Sequence, residues 1–152
     1  MFMASTYKEP DWFTRNVLNR LVAGLTRSGI SVLGSRVLEV KGRKSGLPRR
    51  TPVNLLDYQG AHYLVAPRGE TEWVRNVRAA GGSVTLIRGR RREQFRAEEL
   101  ADADKPDLLR AYLARWKFEV GMFFDGVGPD SSPAQLAGIA GRHPVFRLHP
   151  SA

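Results

Sequence analysis

The sequence predicts an α+β protein whose strands are mainly antiparallel and form a barrel or a strongly curled sheet. Short extended runs follow one another along the chain, glycine-containing turns separate several of them, and only a few helical segments interrupt the series. Strands joined by tight turns pair antiparallel, whereas a doubly wound sheet alternates strands with helices throughout its length. The order of elements therefore favours a curled or closed antiparallel sheet.

The size and composition predict one globular domain. The chain has 152 residues, of which 42% are hydrophobic and 26% charged, a balance typical of folded proteins rather than disordered ones. A chain of this length builds one core and needs no disulfide or metal to hold it. We expect a single domain over residues 1–152, with an N-terminal helix inside residues 1–35 and the sheet in residues 36–152.

The charge balance points to an anionic partner without identifying it. The formal net charge is +9, which favours nucleic acid, acidic lipid headgroups, or a phosphorylated or carboxylated small molecule. The chain has no cysteine, which excludes disulfides, thiolate metal sites and cysteine nucleophiles and fits a reducing cytosol. The histidines His62, His143 and His149 lack metal-ligand spacing, so no metal site is expected. Residues 1–9 lack the features of a secretory signal, and no apolar run is long enough to span a bilayer.

The first predicted element is a helix over residues 11–28. Its apolar residues Phe13, Val17, Leu21 and Leu25 recur every fourth position and so share one face. A helix packed against the sheet is the favoured interpretation. The alternative is a basic amphipathic helix that contacts a membrane surface peripherally.

The strands and the other helices follow in order. Period-two patterns and glycine turns predict strands at residues 36–41, 50–58, 61–66, 83–88, 91–97 and 144–148. Helical patterns predict short helices at residues 72–80 and 106–117. The stretch 121–141 is rich in glycine and proline, so we expect a loop that covers or borders a site.

The most informative stretch for chemistry is the basic segment from Lys41 to Pro52, KGRKSGLPRRTP. Five of its twelve side chains are cationic, two glycines allow backbone N–H groups to converge, and Ser45 and Thr51 add hydroxyl donors. Phosphate binding uses this combination of donors and positive charge. The order of residues matches neither a Walker loop nor a dinucleotide fingerprint. The alternative interpretation is a solvated basic hairpin turn.

Two further stretches add to this picture. Residues 66–73 end a strand and enter a helix, a junction at which backbone N–H groups contact rings or phosphates. In that helix Trp73, Val74 and Val77 form the predicted packing face. The second stretch, 88–92, is a basic turn between strands, which we interpret as a solvated hairpin because a nucleic-acid site would need exposed aromatic residues beside it.

Taken together, these segments resemble the deazaflavin-dependent nitroreductase family, the flavin/deazaflavin oxidoreductases of split β-barrel fold. The matching stretches are residues 37–52, 63–69, 73–79 and 143–148. The resemblance implies a mainly antiparallel, FMN-binding-like split β-barrel with a few peripheral helices. It also implies coenzyme F420 as cofactor, a deazaflavin that carries a phosphodiester and a glutamate tail.

The resemblance implies two groups of cofactor-binding residues. The basic loop would hold the phosphate and tail through Arg43, Lys44, Ser45 and Gly46, together with Arg49 or Arg50. The deazaflavin and ribityl region would be lined by Thr51, Pro52, Val53, Asn54, Ala66, Pro67, Arg68, Gly69, Trp73, Val74, Arg75, Asn76 and Val77. An apolar wall from Phe118, Phe123 and Phe124 would stand where some relatives place an aromatic hydroxyl.

The function implied is hydride transfer from reduced F420 to an electron-poor small molecule such as a quinone, an activated enone or a nitro compound. We assign no catalytic residue: Tyr112 is the best-placed proton donor by sequence, although core packing is its more common role. The alternatives are an FMN-binding split-barrel protein, a carrier that binds the deazaflavin without turnover, and a basic nucleic-acid-binding module. Nucleic acid is not the expected partner.

Overall fold

In a computed structural model, which describes residues 35–151, the chain forms a closed six-stranded antiparallel barrel. The strands are β1 (Ser35–Lys41), β2 (Pro48–Tyr58), β3 (Ala61–Val65), β4 (Ser83–Arg88), β5 (Arg91–Glu99) and β6 (Val145–Pro150). Around the barrel they run in the order β1-β2-β3-β6-β5-β4, and β4 pairs with β1 to close it. The predicted α+β barrel is confirmed, while the predicted helix at residues 11–28 lies outside the described residues.

The barrel interior follows from the alternation within each strand. In β1, Leu38 and Val40 are buried while Glu39 points outward. Leu38 stands opposite Thr51 of β2 on one side and Leu86 of β4 on the other. β1 pairs with β2 along its whole length and with β4 over residues 37–39, so closure of the barrel covers both edges of the strand at its centre.

Within residues 35–151 three helices surround the barrel: α1 (Glu72–Ala79), α2 (Pro106–Val120) and α3 (Pro133–Ile139). Helix α1 packs Val74 and Val77, both fully buried, into the same cluster as the barrel interior. Helices α2 and α3 instead cover the outer face of the sheet at β2, β3 and β6, where they form a second apolar cluster. No helix among residues 35–151 has both the length and the apolar character needed to cross a bilayer.

The prediction of a loop over residues 121–141 was wrong in part, because this stretch contains α3 and two 3₁₀ turns, Gly121–Phe123 and Ala140–Arg142. A capping box starts α3: Ser132 Oγ accepts the N–H of Gln135, and the Gln135 side chain accepts the N–H of Ser132. Leu136 and Ile139 are buried against α2 and the sheet. The helix has seven residues, too few to show a clear period between glycine-rich flanks.

Two adjacent glycines between α1 and β4 meet different constraints. Both have positive φ, +65° at Gly81 and +88° at Gly82. A Cβ on Gly82 would lie 2.4 Å from the carbonyl oxygen of Ala97, whereas nothing lies within 4 Å of a Cβ on Gly81. The Ala97 N–H also donates to the Gly82 carbonyl at 2.7 Å. The close approach at Gly82 therefore holds α1 against β5.

We predict that Gly82→Ala destabilises the protein more than Gly81→Ala. Left-handed backbone costs a side-chain-bearing residue about 1–2 kcal/mol at either position. At Gly82 the clash with Ala97 adds about 1–3 kcal/mol, the usual cost of overpacking. Chemical denaturation of both variants measures the difference. Equal free energies of unfolding would contradict the close approach.

Candidate functional site: a cationic loop bound to helix α1

The basic loop between β1 and β2, residues 42–47, is held by its own hydrogen bonds. The Gly42 N–H donates to the Leu47 carbonyl at 2.8 Å, and the Gly46 N–H donates to the Gly42 carbonyl at 2.9 Å. The Leu47 N–H donates to Ser45 Oγ at 3.1 Å. Space at Gly42 is tight, because a Cβ would lie 3.0 Å from Ser45 Oγ and 3.1 Å from the Leu47 carbonyl oxygen. The loop therefore has a defined shape.

Asn76 of α1 binds this loop through Arg43. Asn76 Oδ1 accepts both the backbone N–H of Arg43 at 3.1 Å and the Arg43 guanidinium at 2.8 Å. The guanidinium also pairs with Glu72 one turn earlier, at 3.1 Å, and the hydrogen bond from Arg43 lowers the pKa of Glu72. Asn76 is 5% exposed, so its amide is fixed by the same packing that buries Val77.

These contacts leave one set of donors unused on the outer side of the loop. The backbone N–H groups of Lys44 and Ser45 make no hydrogen bond within residues 35–151. The side chains of Lys41, Lys44 and Arg49 form no salt bridge with any described residue. Adjacent free amides beside uncompensated cations make an anion-binding surface. We call this set, Lys41, Lys44, Ser45 and Arg49, the anion face.

An open groove of about 930 Å³ extends from the loop across β1 and β4. Its lining includes Lys41, Lys44, Ser83, Thr85 and Gln94. Four of the sequence-predicted site residues, Arg43, Lys44, Ser45 and Gly46, also line it. The other predicted residues do not.

Arg50 differs from its neighbour Arg49. Its Nε donates to Glu39 at 2.9 Å, and Arg92 of β5 binds the other carboxylate oxygen of Glu39. Burial alone would raise the pKa of Glu39, but the hydrogen bonds from Arg50 and Arg92 outweigh it and leave the pKa lowered. Arg50 is therefore bound within the protein, which leaves Arg49 as the more available arginine.

The turn at residues 66–69 is held by the residues just before β6. The Ala66 N–H donates to the Pro144 carbonyl at 2.9 Å. The Ala66 carbonyl lies 3.1 Å from His143 Nδ1, which must carry the proton because a carbonyl only accepts. Gly69 has φ +84°, and a Cβ there would lie 3.2 Å from the Arg142 carbonyl oxygen. This turn is therefore fixed against the barrel.

His143 is buried and stacks on Phe124 at 4.1 Å between ring centroids. Burial lowers its pKa, which keeps the ring neutral and able to serve as the donor to Ala66. Its Nε2 is buried without a hydrogen-bond partner. In the sequence His143 is one of three scattered histidines, and its supporting role could not be predicted because no local pattern connects it with Ala66.

Helix α1 connects the loop with the turn. The Thr71 N–H donates to the Gly69 carbonyl, and the Arg75 N–H donates to the Thr71 carbonyl, so the turn runs directly into α1. Farther along α1, Glu72 and Asn76 hold Arg43 of the loop. The loop 42–47 and the turn 66–69 are thus both attached to the same short helix, α1.

The other sequence-predicted residues fall into three environments. Val53, Val74 and Val77 are buried inside the barrel cluster, where their side chains serve packing. Trp73 is half-buried against Phe146, with ring centroids 5.9 Å apart, and Thr51, Pro52 and Pro67 are also half-buried. The outward or exposed positions are Asn54, whose amide donates to Glu119 at 3.4 Å, and the arginines Arg68 and Arg75.

The expected aromatic wall is divided between core and surface. Phe124 is fully buried beside Tyr112, whereas Phe118 and Phe123 are exposed. Arg68 lies over the Phe123 ring at 5.3 Å. Burial raises the pKa of the Tyr112 hydroxyl, and the side chain is almost completely buried, so packing accounts for Tyr112.

Comparison with known proteins identifies the family. The sequence matches the family described as F420H(2)-dependent quinone reductase over residues 10–118. The chain belongs to this family. It is an F420H2-dependent reductase, and its cofactor is accordingly coenzyme F420. No curated protein matches the sequence.

Solved structures similar to this F420H2-dependent reductase share its barrel fold. An F420-H2 dependent reductase, FDR-A, is 20% identical, with 76% of this chain and 94% of that chain covered and a TM-score of 0.50. A protein of unknown function from Agrobacterium tumefaciens is 17% identical (85% and 55% covered, TM-score 0.56). A conserved hypothetical protein from Mycobacterium tuberculosis is 15% identical (88% and 80% covered, TM-score 0.53). At these identities the likeness shows the fold.

We predict that Asn76→Ala destabilises the reductase by about 1–3 kcal/mol, because the part-buried N–H groups of Arg43 lose their acceptor. The variant also frees the loop, so amide hydrogen exchange becomes faster at Arg43, Gly46 and Leu47, the residues in 43–47 whose N–H groups are hydrogen-bonded. Arg75→Ala is the matched control on the same helix: Arg75 is exposed and lies 3.8 Å from Glu72, so its loss costs within about 0.5 kcal/mol. Unchanged exchange in the loop of Asn76→Ala would show that α1 does not hold it.

We predict a pH-dependent loss of stability in Glu39→Gln. The folded-state pKa of Glu39 is lowered, so its stabilisation is present above the unfolded-state pKa and disappears as the pH falls through the folded-state pKa. At neutral pH the variant is less stable than the wild type by about 1 kcal/mol, and in acid the two converge. Denaturation across the pH range measures the difference in stability. Glu93→Gln is the control, because Glu93 is exposed and lies 3.8 Å from its ion-pair partner Arg91. A gap that persists in acid would contradict the ion-pair account.

Proposed function

We propose that this reductase reduces an electron-poor small molecule, with a quinone as the leading candidate, and that loop 42–47 and Arg49 hold the anionic part of F420. The observation that carries the proposal is the anion face, which combines the free amides of Lys44 and Ser45 with cations that form no ion pair with any described residue. F420 carries a phosphodiester and glutamate carboxylates, and these groups need the donors and charge that this face presents. Membership of the family supports the same cofactor.

The residues present fit such a ligand. Lys44 and Ser45 supply consecutive backbone donors, and Lys41, Lys44 and Arg49 supply positive charge without competing carboxylates in ion pairs within the described chain. Glu39 is the acidic residue in the groove, and Arg50 and Arg92 already neutralise it. Repulsion between Glu39 and an anionic ligand is thereby reduced.

When bound, reduced F420 supplies the hydride for the reduction. The protein binds the cofactor and orients it. Asn76 and Glu72 fix Arg43 and with it the shape of the loop, so the anion face exists before the ligand arrives and less ordering is needed on binding. His143 and Pro144 fix the turn 66–69, which borders the proposed ring region with Trp73. We assign no protein proton donor.

The choice of a quinone rests on the family description and on the apolar surface beside the turn. Phe123 lies under Arg68 of the turn 66–69, and Phe118 is exposed nearby on the same chain segment. Flat apolar acceptors bind aromatic surfaces of this kind. Activated enones and nitro compounds share the electron-poor character, and a turnover assay with one member of each class decides among them.

We predict that the double variant Lys44→Ala/Arg49→Ala weakens binding of oxidised F420 at least about tenfold, because each charge-assisted contact is worth about 1 kcal/mol or more. Fluorescence titration at about 0.15 M salt measures the dissociation constant, with FMN titrated in parallel. The matched control is Arg90→Ala/Arg91→Ala, which removes the same charge from the exposed β4–β5 turn. At this salt the control changes affinity less than about twofold, because charges beyond about 8 Å are screened.

Equal weakening by both double variants would assign the affinity to overall charge rather than to the anion face. Tighter binding of FMN than of F420 would favour the FMN-binding alternative. If the Lys44→Ala/Arg49→Ala variant oxidises F420H2 with 1,4-naphthoquinone as fast as the wild type, the protein is still a reductase. The proposed contacts of Lys44 and Arg49 with the cofactor would then be wrong.

A further inference from the structure

Lys105, at the start of α2, is a buried cation that the proposed reaction does not use. It is 3% exposed, although a lysine is almost never fully buried unless it is paired. Its ammonium lies 2.8 Å from Asp102 Oδ1 and donates to the Ala140 carbonyl at 2.9 Å. Because a buried charge without partners is costly, these two contacts hold the ammonium in one place.

Lys105 connects two 3₁₀ turns, Asp102–Asp104 and Ala140–Arg142. Its backbone N–H donates to the Asp102 carbonyl at 3.2 Å, while its ammonium binds the Asp102 carboxylate. A Cβ on Gly141 would lie 3.4 Å from Asp102 Oδ2, which places this carboxylate beside the second turn. The second turn is therefore held from one side by Lys105 and Asp102 together.

The second 3₁₀ turn leads into the contacts that hold the turn 66–69. The Ala140 carbonyl accepts the His143 N–H at 3.3 Å as well as the Lys105 ammonium. His143 in turn donates from Nδ1 to the Ala66 carbonyl at 3.1 Å. A continuous path of hydrogen bonds therefore runs from Lys105 through His143 to the turn 66–69.

The positive charge of Lys105 also acts on His143. Burial is the main cause of the lowered pKa of His143, and the charges of Arg142 and Lys105 lower this pKa further. A neutral imidazole carries one N–H, and the Ala66 carbonyl holds that proton on Nδ1. Lys105 thus supports the form of His143 that donates to the turn.

We propose that Lys105 is a positioning residue of this reductase, which fixes the turn 66–69 through His143. The inference rests on the proposed function, because it takes this turn as the border of the deazaflavin ring. A buried ion pair is weak evidence for stability, since apolar side chains of similar volume often replace one without loss. The ammonium instead restricts the backbone to one geometry, and a displacement of about 1 Å at a reacting group strongly lowers the rate of a reaction.

Lys105→Met tests the proposal in the protein without cofactor. The variant keeps an unbranched apolar side chain and removes both the donors and the charge. NMR-detected amide hydrogen exchange is expected to become at least about tenfold faster at Ala66 and Gly69, whose N–H groups are hydrogen-bonded, because local opening of the turn becomes easier. Gly46 in the basic loop is expected to exchange at the wild-type rate.

Lys117→Met is the matched control, because it removes the same charge from an exposed lysine near the other end of α2. It is expected to leave exchange in the turn 66–69 unchanged. If Lys105→Met does not fold, Asp102→Asn takes its place, since the Asp102 carboxylate is exposed. Asp102→Asn is expected to speed exchange in the turn about threefold, and Asp104→Asn, in the same 3₁₀ turn, is its control.

Steady-state kinetics with F420H2 and 1,4-naphthoquinone separate positioning from stability. In Lys105→Met the proposal predicts a kcat at least about tenfold lower, because the reacting groups are misplaced. The dissociation constant of oxidised F420 is expected to stay within about twofold of the wild-type value, because the loop 42–47 is unaffected. A merely structural role of Lys105 would leave the kcat of the folded molecules unchanged.

Three outcomes would overturn the proposal. Unchanged exchange at Ala66 and Gly69 in Lys105→Met would show that the ammonium does not hold the turn. Faster exchange there with an unchanged kcat would show that the turn does not position the reacting groups. Equally faster exchange at Gly46 would assign the effect to general destabilisation.

Failure of the proposed function gives a different result. If the wild-type protein does not bind F420, the cofactor assignment is wrong. The exchange measurement needs no cofactor, so it still decides whether Lys105 holds the turn 66–69.

Discussion

The two hydrogen bonds that Asn76 accepts from Arg43 connect the stability of the barrel to the geometry of the site. Asn76 sits on α1 beside Val77, which packs into the barrel cluster. A buried amide in that position must find partners, because leaving it unpaired costs free energy. The partners it finds are the main chain and the guanidinium of one loop residue. The shape of the loop therefore depends on how α1 packs against the barrel.

The distribution of ion pairs explains why a protein with so many arginines has a localised anion-binding surface. Arg43 pairs with Glu72, Arg50 and Arg92 share Glu39, and Arg78 pairs with both Glu70 and Glu99. Pairing of these arginines removes much of the field that the net charge alone would predict. Near the loop, Lys41, Lys44 and Arg49 form no ion pair with any residue in 35–151, and Lys41 and Lys44 line the same groove as Ser45. Position rather than total charge selects the ligand.

Much of the fold could be predicted from the sequence, because local patterns determine it. Alternating burial and glycine turns gave the six strands within a few residues, and the apolar stripe of α2 was visible at Leu109, Leu113 and Trp116. The short helix α3 was not predicted, because its capping box, Ser132 and Gln135, stands among glycines and prolines.

The basic loop and the junction at residues 66–73 were recognisable from composition. Their connection was not: the pairing of Arg43 with Asn76 spans 33 positions, and that of Glu39 with Arg50 and Arg92 depends on strand register. Sequence alone also could not distinguish Arg49 from Arg50, since only the register places Glu39 opposite Arg50.

The central claim is that the amides and cations of loop 42–47 bind the anionic part of F420, and amide hydrogen exchange of the full-length protein with and without the cofactor tests it most directly. The account predicts that F420 slows exchange at Lys44 and Ser45, whose N–H groups make no hydrogen bond within the described chain, and leaves exchange unchanged in the turn at residues 88–92, which carries four arginines. Protection at residues 88–92 without protection at Lys44 and Ser45, under conditions where F420 binds, would contradict the account.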